Sequence, residues 1–253
     1  MENKKGQIAI WAILALVLVG VISLFFFLEQ RTLGVAEARF DPEQYIEKCA
    51  REVTTEVADK IMPQGGFLNP ENFKVYNDTK VPYLCRSYGF YGPCINQHPM
   101  FISEINGEIK GYIVPRIESC FENMKKESEK RQANVEISTE PSEINVSLAS
   151  GLILVEIAKS VKITEKEITR TFEKFDVRVM NPIYDLASVA MNIANHERKY
   201  CYFEYVGYMA TDQSIDIRKF TMSDATKIYS IEDRASGKIF NIATRSCAIP
   251  AGF

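Results

Sequence analysis

Residues 8–28, IAIWAILALVLVGVISLFFFL, form an apolar run that contains no charged side chain and a single polar one, Ser23. At about 1.5 Å of rise per residue, a helix of this length spans roughly 30 Å, the hydrocarbon thickness of a bilayer. A helix in the core of a folded domain usually keeps one polar face, and this run has none. The sequence therefore predicts a transmembrane helix over residues 8–28.

The charges around this run predict its orientation. Lys4 and Lys5 precede it, whereas acidic and basic side chains are balanced in the segment that follows. Because basic residues beside a span tend to stay in the cytoplasm, we expect the N-terminus inside the cell and the C-terminal bulk outside. The sequence thus predicts a cytoplasmic leader over residues 1–7, a linker over residues 29–40, and a single-pass protein of the cell membrane that contacts lipid.

Two alternatives to a retained span stay open. One is a secretory signal peptide removed at the Ala-x-Ala pattern of residues 36–38, although an ordinary h-region is shorter than residues 8–28. The other is a buried core helix.

The chain has six cysteines, and all of them follow the apolar run. None forms a Cys-x-x-Cys pair, which argues against a zinc ribbon and against a thioredoxin-like site. An even set outside the cytoplasm predicts disulfides, with unpaired structural thiols as the alternative. Two of the cysteines fall on the apolar stripes of predicted helices, and the others would close a short loop and staple C-terminal strands. Six cysteines allow 15 pairings, and the sequence alone does not choose among them. Of these we favour the pairs Cys49–Cys120, Cys85–Cys94 and Cys201–Cys247.

Composition and motifs argue against several function classes. At 253 residues, with 46% hydrophobic and 25% charged side chains, the chain has the length and composition of a folded domain. A net charge of −3 gives no reason to expect a nucleic acid partner. The two histidines, His98 and His196, do not fit the zincin spacing, and no P-loop or Gly-x-Ser-x-Gly string occurs. We expect no metal, no cofactor and no catalytic residue.

The residues Lys4-Lys5-Gly6-Gln7-Ile8 resemble the class III, prepilin-type signal of archaeal pilins and related surface proteins. In that family a basic pair and a glycine precede the cleavage site, and the apolar helix stays on the mature chain. The resemblance implies processing between Gly6 and Gln7. Bacterial type IV pilins are less similar, because they carry Glu at the fifth mature position, where this chain has Trp11. An uncleaved anchor is the alternative.

Over most of its length the chain also resembles a set of uncharacterised archaeal single-pass envelope proteins. The shared pattern is a Lys-Lys-Gly-Gln start, a helix that bears Cys49 and runs into Gln64-Gly65-Gly66-Phe67, and a second helix that ends in Ser119-Cys120-Phe121. The resemblance implies an archaeal cell-surface location and brings no activity with it.

The segment after the linker is predicted to be α+β and to begin with a helix-rich subdomain over residues 41–131. Asp41-Pro42 is a good helix start, and the helix is expected to end at Gly65-Gly66, because glycine adopts the left-handed cap at little steric cost. A second helix is expected over residues 100–124, kinked or split at Pro115.

An α+β subdomain over residues 132–253, with mainly antiparallel strands, is predicted to follow the charged run KKESEKRQ at residues 125–132. Alternating apolar residues on both sides of residues 140–142 predict a hairpin. Further strands are expected at residues 152–157, 161–163 and 175–179, then a helix from Asn181-Pro182 to about Lys199, and strands at residues 202–208, 215–217, 227–231 and 238–243.

Two surface features are candidates for binding or modification. The cysteine-bracketed segment 83–94 is rich in tyrosine and glycine, and rigid aromatic side chains on a stapled loop provide contact area at little cost in ordering entropy. Its candidate binding residues are Tyr83, Arg86, Tyr88, Phe90 and Tyr91, unless these rings simply pack on the domain below. Sequons on turns expected to be exposed make Asn77 and Asn145 candidate glycosylation sites.

Three function classes are compatible with these features. The first is a surface protein with a structural, adhesion or pilin-like role, whose partners are copies of itself through the N-terminal helix or other surface proteins. The second is an anchored module that binds a ligand or a protein through the aromatic loop. The third is an anchored hydrolase built from scattered carboxylates.

Overall fold

The computed structural model describes residues 16–25, 40–89, 92–131, 133–165 and 167–247. The chain forms two compact units, Met1–Asp41 and Pro42–Phe253. In the first unit residues 16–25 belong to a helix, α1, and all ten of them are exposed. No helix within the described ranges is both long and apolar enough to cross a membrane. The leader at residues 1–7, most of the predicted span and residues 29–39 of the linker lie outside those ranges.

The second unit is α+β, as predicted. In chain order its elements are α2 (Pro42–Ile61), a 3-10 turn (Met62–Gln64), β1 (Phe73–Tyr76), β2 (Thr79–Arg86), β3 (Ile95–Asn96), α3 (Phe101–Lys130), β4 (Asn134–Ile137), β5 (Glu143–Ala149), β6 (Leu152–Glu165), β7 (Ile168–Met180), α4 (Ile183–Tyr200), α5 (Tyr205–Thr211), β8 (Ile215–Thr221), β9 (Lys227–Asp233) and β10 (Ile239–Arg245).

The strands form two sheets. Sheet 1 has the order β1-β2-β10-β9-β8, with β3 paired to β2, and it joins strands from both sides of the predicted subdomain boundary at residue 132. Its β2–β10 pair is parallel, whereas the other pairs are antiparallel. Sheet 2 is built on the long strand β6, which pairs with β7 along one edge and with β5 and β4 along the other. Residue 132 itself lies outside the described ranges.

The hairpin predicted around residues 140–142 is wrong, although both of its strands exist. β4 and β5 each run antiparallel to β6 and follow one another along the same edge, so they do not pair together. Lys159 is buried at the break between β4 and β5. Its ammonium group donates to the Glu140 carbonyl at 2.7 Å and to the Glu118 carboxylate at 2.9 Å. Glu118 also accepts from the Ser142 amide at 2.6 Å. These bonds give hydrogen-bond partners to the Glu140 carbonyl and the Ser142 amide, two backbone groups that do not pair with each other's strands in a hairpin.

The helices link the two sheets. α2 and α3 are joined by the disulfide Cys49–Cys120 and by a 2.5 Å hydrogen bond from the Tyr112 hydroxyl to Glu56. The α2 side chain of Arg51 donates to the Arg178 carbonyl on β7 at 2.8 Å, while the turn after α2 packs on sheet 1, where Asn241 donates to the Pro63 carbonyl. α2 therefore contacts sheet 2, and the turn that follows α2 contacts sheet 1.

α3 is continuous through Pro115, so of the predicted kink or split the split is wrong. A proline in a helix interior removes one hydrogen bond and crowds the carbonyl four residues earlier. That earlier residue is Gly111, and both Gly111 and Pro115 lie on the exposed side of α3. Water can therefore solvate the carbonyl that loses its partner, while the buried side of the helix continues undisturbed.

The predicted turn after the first helix is confirmed. Gly65 and Gly66 both adopt positive φ angles, 61° and 91°, and their amides bond back to Met62 and Ile61. A side chain at Gly65 would approach Pro82 to 2.5 Å, and one at Gly66 would approach Ile105 to 2.6 Å. Both positions therefore need glycine for conformation and for space.

The strand predicted at residues 202–208 is wrong, because residues 205–211 form the short helix α5. Glu204 caps it by accepting a hydrogen bond from the Gly207 amide. Tyrosine and valine favour strands, but a local cap at the helix N-terminus outweighs that preference here.

Candidate functional site

The structure joins the six cysteines in the three predicted pairs, and none is free. Cys85–Cys94 closes the loop between β2 and β3, which are themselves paired through Arg86 and Ile95. The disulfide and the strand pair together hold the start and the end of the tyrosine-rich loop against sheet 1.

Arg86 lies at the end of β2, directly beside Arg245 of the parallel strand β10. Backbone hydrogen bonding between the two strands continues one residue past Arg86, since the Ser87 amide donates to the Arg245 carbonyl at 2.7 Å. Tyr88 follows in the loop and is 75% exposed, and Ile95 on β3 is 65% exposed. We call Arg86, Tyr88, Ile95 and Arg245 the arginine–tyrosine surface.

The guanidinium group of Arg86 is held in place from several sides. Its Nη1 donates to the side-chain carbonyl of Asn72, and its central carbon lies 4.8 Å from the ring centre of Tyr83 and 5.4 Å from that of Tyr88. Its Nε is buried without a hydrogen-bond partner, and Nη2 forms no hydrogen bond within the described part of the chain. Arg86 is therefore an oriented cation with unused donor capacity.

Arg245 and Lys74, by contrast, are engaged by the turn between β8 and β9. Arg245 donates to the backbone carbonyls of Asp224 and Ser87, at 3.0 Å and 3.2 Å. Lys74 forms a 2.7 Å ion pair with the Asp224 carboxylate. The hydrogen bond from Lys74 lowers the pKa of Asp224 to about 2, although partial burial opposes this. Asp224 therefore contacts Lys74 through its carboxylate and Arg245 through its backbone carbonyl.

The predicted binding residues lie in different environments. Tyr83 is only 4% exposed and its hydroxyl lies 2.9 Å from that of Thr226, so its assignment to a binding surface is wrong. The Tyr83 ring instead lies against the Arg86 guanidinium group, whose central carbon is 4.8 Å from the ring centre. Arg86 is half-buried beside the exposed Tyr88, while Phe90 and Tyr91 fall outside the described ranges.

Sequence reasoning missed the contributions of Arg245 and Lys74. Arg245 lies 158 residues from its contact Ser87, and Lys74 lies 150 residues from Asp224. Only the pairing of β2 with β10 brings these residues together, and no local pattern in the sequence signals a parallel pair of that separation.

A second polar cluster surrounds the buried Glu197 on α4. Glu197 on α4 is fully buried, and its carboxylate accepts from Lys227 at 2.7 Å and from the hydroxyls of Tyr229 and Ser246. Ser246 lies 3.2 Å from the Lys227 ammonium group, the arrangement of a serine–lysine pair. However, the Lys227 ammonium group is also bonded to the Glu197 carboxylate and to the Cys201 carbonyl at 2.6 Å, so three acceptors hold it in place. Ser246 is also 1% exposed, so the cluster is suited to holding α4 on sheet 1 rather than to catalysis.

The structure offers no assembled metal site in the ranges it describes, since no group of three or more His, Cys, Asp or Glu side chains is close enough to hold an ion there. His98 is paired with Glu104 at 2.5 Å, and its ring packs against Phe67. This pair helps to attach the loop before α3 to the glycine turn.

The two sequons lie in different environments. Asn77 is exposed in the two-residue turn between β1 and β2, where both Asn77 and Asp78 have positive φ angles. Asn145 is exposed as well, but it lies within β5 and not on the predicted turn, and its amide donates to Glu156 at 3.3 Å.

Comparison of the chain with protein-family models, with curated proteins and with solved structures found no match.

Proposed function

We propose that the chain is a single-pass membrane protein of the cell surface, whose disulfide-bonded domain lies outside the cytoplasm and serves in adhesion. In this proposal residues 8–28 anchor the chain in lipid, Lys4 and Lys5 keep the N-terminus inside, and the arginine–tyrosine surface meets another surface protein. The resemblance to archaeal envelope proteins supports the same location.

The observation that carries the proposed location is the pairing of every cysteine. Disulfides persist in oxidising compartments and are rare where the cytosol keeps thiols reduced. The exposed apolar side chains of residues 16–25 support the anchor, since a helix that leaves such residues uncovered needs lipid or another helix around it.

The composition of the arginine–tyrosine surface supports a role in recognition. Arg86 and Arg245 are paired at the ends of β2 and β10, and the exposed Tyr88 follows Arg86 in the loop. Arginine and tyrosine are residue types that often dominate the binding energy of protein interfaces.

A pilin-like subunit is the second candidate, and Lys4-Lys5-Gly6-Gln7 favours it. In that role the apolar helix would bundle with its copies after processing. Small residues at Ala9, Ala12, Ala15 and Gly20 would permit close approach between helices.

Protease treatment of intact cells tests the proposed topology. With tags at the two termini, added protease should remove the C-terminal tag and spare the N-terminal one, while lysed cells should lose both. Protection of the C-terminal tag until lysis would reverse the orientation and overturn the proposal. A cytoplasmic protein carrying the same tag serves as the control for cell integrity.

A further inference from the structure

We propose that the arginine–tyrosine surface binds an acidic side chain of a partner protein, with an apolar neighbour of that side chain packing on Tyr88 and Ile95. The inference rests on the proposed surface location and adds the chemistry of the partner. Arg86 would take the carboxylate through Nη2, and the two exposed apolar side chains would cover the flank of the contact.

The charge of Arg86 favours an acidic partner. Within the described residues no carboxylate forms an ion pair with Arg86, whereas Lys74 has Asp224 at 2.7 Å. A guanidinium group forms its strongest contacts with carboxylates, through parallel N–H···O bonds. An acidic side chain is therefore the complement that the surface lacks.

The Arg86 side chain is ordered before any partner binds. It is held by Asn72, and its central carbon lies 4.8 Å and 5.4 Å from the ring centres of Tyr83 and Tyr88. A long side chain that is ordered before binding loses less rotamer entropy when the complex forms. Arginine and tyrosine are also the residue types that most often dominate the binding energy of protein interfaces.

The small number of available cations favours a protein partner over an acidic polysaccharide. A polyanionic chain needs a row of available cations, and here Lys74 and Arg245 are already bonded to the β8–β9 turn and to Ser87. One available guanidinium between Tyr88 and Ile95, which are 75% and 65% exposed, instead matches a single carboxylate within an apolar protein surface.

Selection from a library of random short peptides on the full chain in detergent micelles tests the inference. Peptides that bind the wild-type protein should share an Asp or Glu next to an aliphatic or aromatic residue. Arg86→Gln should weaken the binding of a selected peptide about 30-fold, the loss typical of an interface hot spot. Tyr88→Ser should weaken it as well, and since Tyr88 is 75% exposed its replacement does not disturb folding.

Arg178→Gln provides the matched control, because it removes the same charge from an exposed position on sheet 2. It should leave peptide binding unchanged. The inference is overturned if the selected peptides lack an acidic residue, or if Arg86→Gln and Tyr88→Ser bind them as the wild type does. It is also overturned if polygalacturonate binds in an Arg86-dependent way and no peptide does. These outcomes leave the topology experiment unaffected, so the two proposals fail separately.

Discussion

At the scale of single residues, the buried carboxylate of Glu197 helps to fix the position of α4 on sheet 1. Its carboxylate is fully enclosed and is matched by one ammonium group and two hydroxyls, from Lys227, Tyr229 and Ser246. Burial and the nearby carboxylate raise the pKa of Tyr229, so its hydroxyl remains a donor. Because each partner belongs to sheet 1 or to its continuation, the cluster specifies where α4 lies on that sheet.

Replacement of Glu197 by Gln is expected to destabilise the protein by about 3–5 kcal/mol, the cost of leaving a buried ion without its partner. The new amide nitrogen would also face the Lys227 ammonium group, which is another donor. Urea denaturation of the wild type and the variant measures the effect. The exposed Glu204→Gln should cost far less, and Lys227→Met added to Glu197→Gln should recover part of the loss. Equal stability of Glu197→Gln and Glu204→Gln would contradict the prediction.

The Lys74–Asp224 pair should make stability depend on pH. Asp224 has its pKa lowered to about 2 in the folded state, so the pair stabilises above the unfolded value of about 4 and loses this contribution as the pH falls toward 2. The hydrogen bond to Asp224 raises the pKa of Lys74, so its contribution is lost only at high pH, above about 10.

Asp224→Asn is therefore expected to be less stable than the wild type at pH 7, and the difference should shrink between pH 4 and pH 2. Since the Asp224 side chain is 43% exposed, solvent screening limits the effect to about 1 kcal/mol or less. Thermal unfolding across this pH range measures it. Asp78→Asn, at an exposed turn position, is the control, and a difference that stays constant down to pH 2 would rule the explanation out.

At the scale of elements, the disulfides differ in the length of chain that they close. Cys49–Cys120 joins α2 to α3 across a separation of 71 residues, whereas Cys85–Cys94 closes a separation of 9. In the chain-entropy account, a longer closed loop removes more freedom from the unfolded state. The bond between the helices should therefore matter more for stability than the bond beside the arginine–tyrosine surface.

Replacing both cysteines of a pair by alanine should show this order. Loss of Cys49–Cys120 is expected to cost roughly 4 kcal/mol and loss of Cys85–Cys94 roughly 2.5 kcal/mol. Denaturation of the two double variants, without reductant, provides the comparison. If the short loop proves the more costly to open, loop entropy is not the main contribution of these bonds.

At the scale of the whole molecule, the state of the N-terminus distinguishes the two proposed roles, an uncleaved anchor and a pilin-like subunit. Residues 1–7 precede an apolar run that would remain on the chain whether or not a leader is removed, so both outcomes leave an anchored domain. Only a processed chain would have the free apolar helix that a pilin-like assembly requires.

Processing between Gly6 and Gln7 predicts that protein purified from its native membrane begins at Gln7. The peptidase that cleaves prepilin-type signals needs a small residue before the cut, so Gly6→Leu should retain the leader, while Asn3→Leu should not. Intact mass and N-terminal sequencing distinguish the two forms. A wild-type protein that begins at Met1 or Glu2 would leave an uncleaved anchor and remove the pilin-like alternative.

The sequence by itself determined the features that depend on neighbours along the chain. Helical spacing identified α2 and the inward side of α3, and Gly65-Gly66 identified the turn, because only glycine fits its backbone angles. The placement of Cys49 and Cys120 on the apolar stripes of two helices favoured their pairing, which the structure confirms.

Only the tertiary structure decided which distant segments meet. The parallel pairing of β2 with β10 places Arg245 beside Arg86 and buries Tyr83, and the length of β6 places β4 and β5 end to end instead of in a hairpin. Strand pairing is set by burial and register over the whole domain. Apolar alternation shows that a strand exists, but many partners satisfy the same pattern. The choice among them depends on which arrangement covers both sheets with the three long helices.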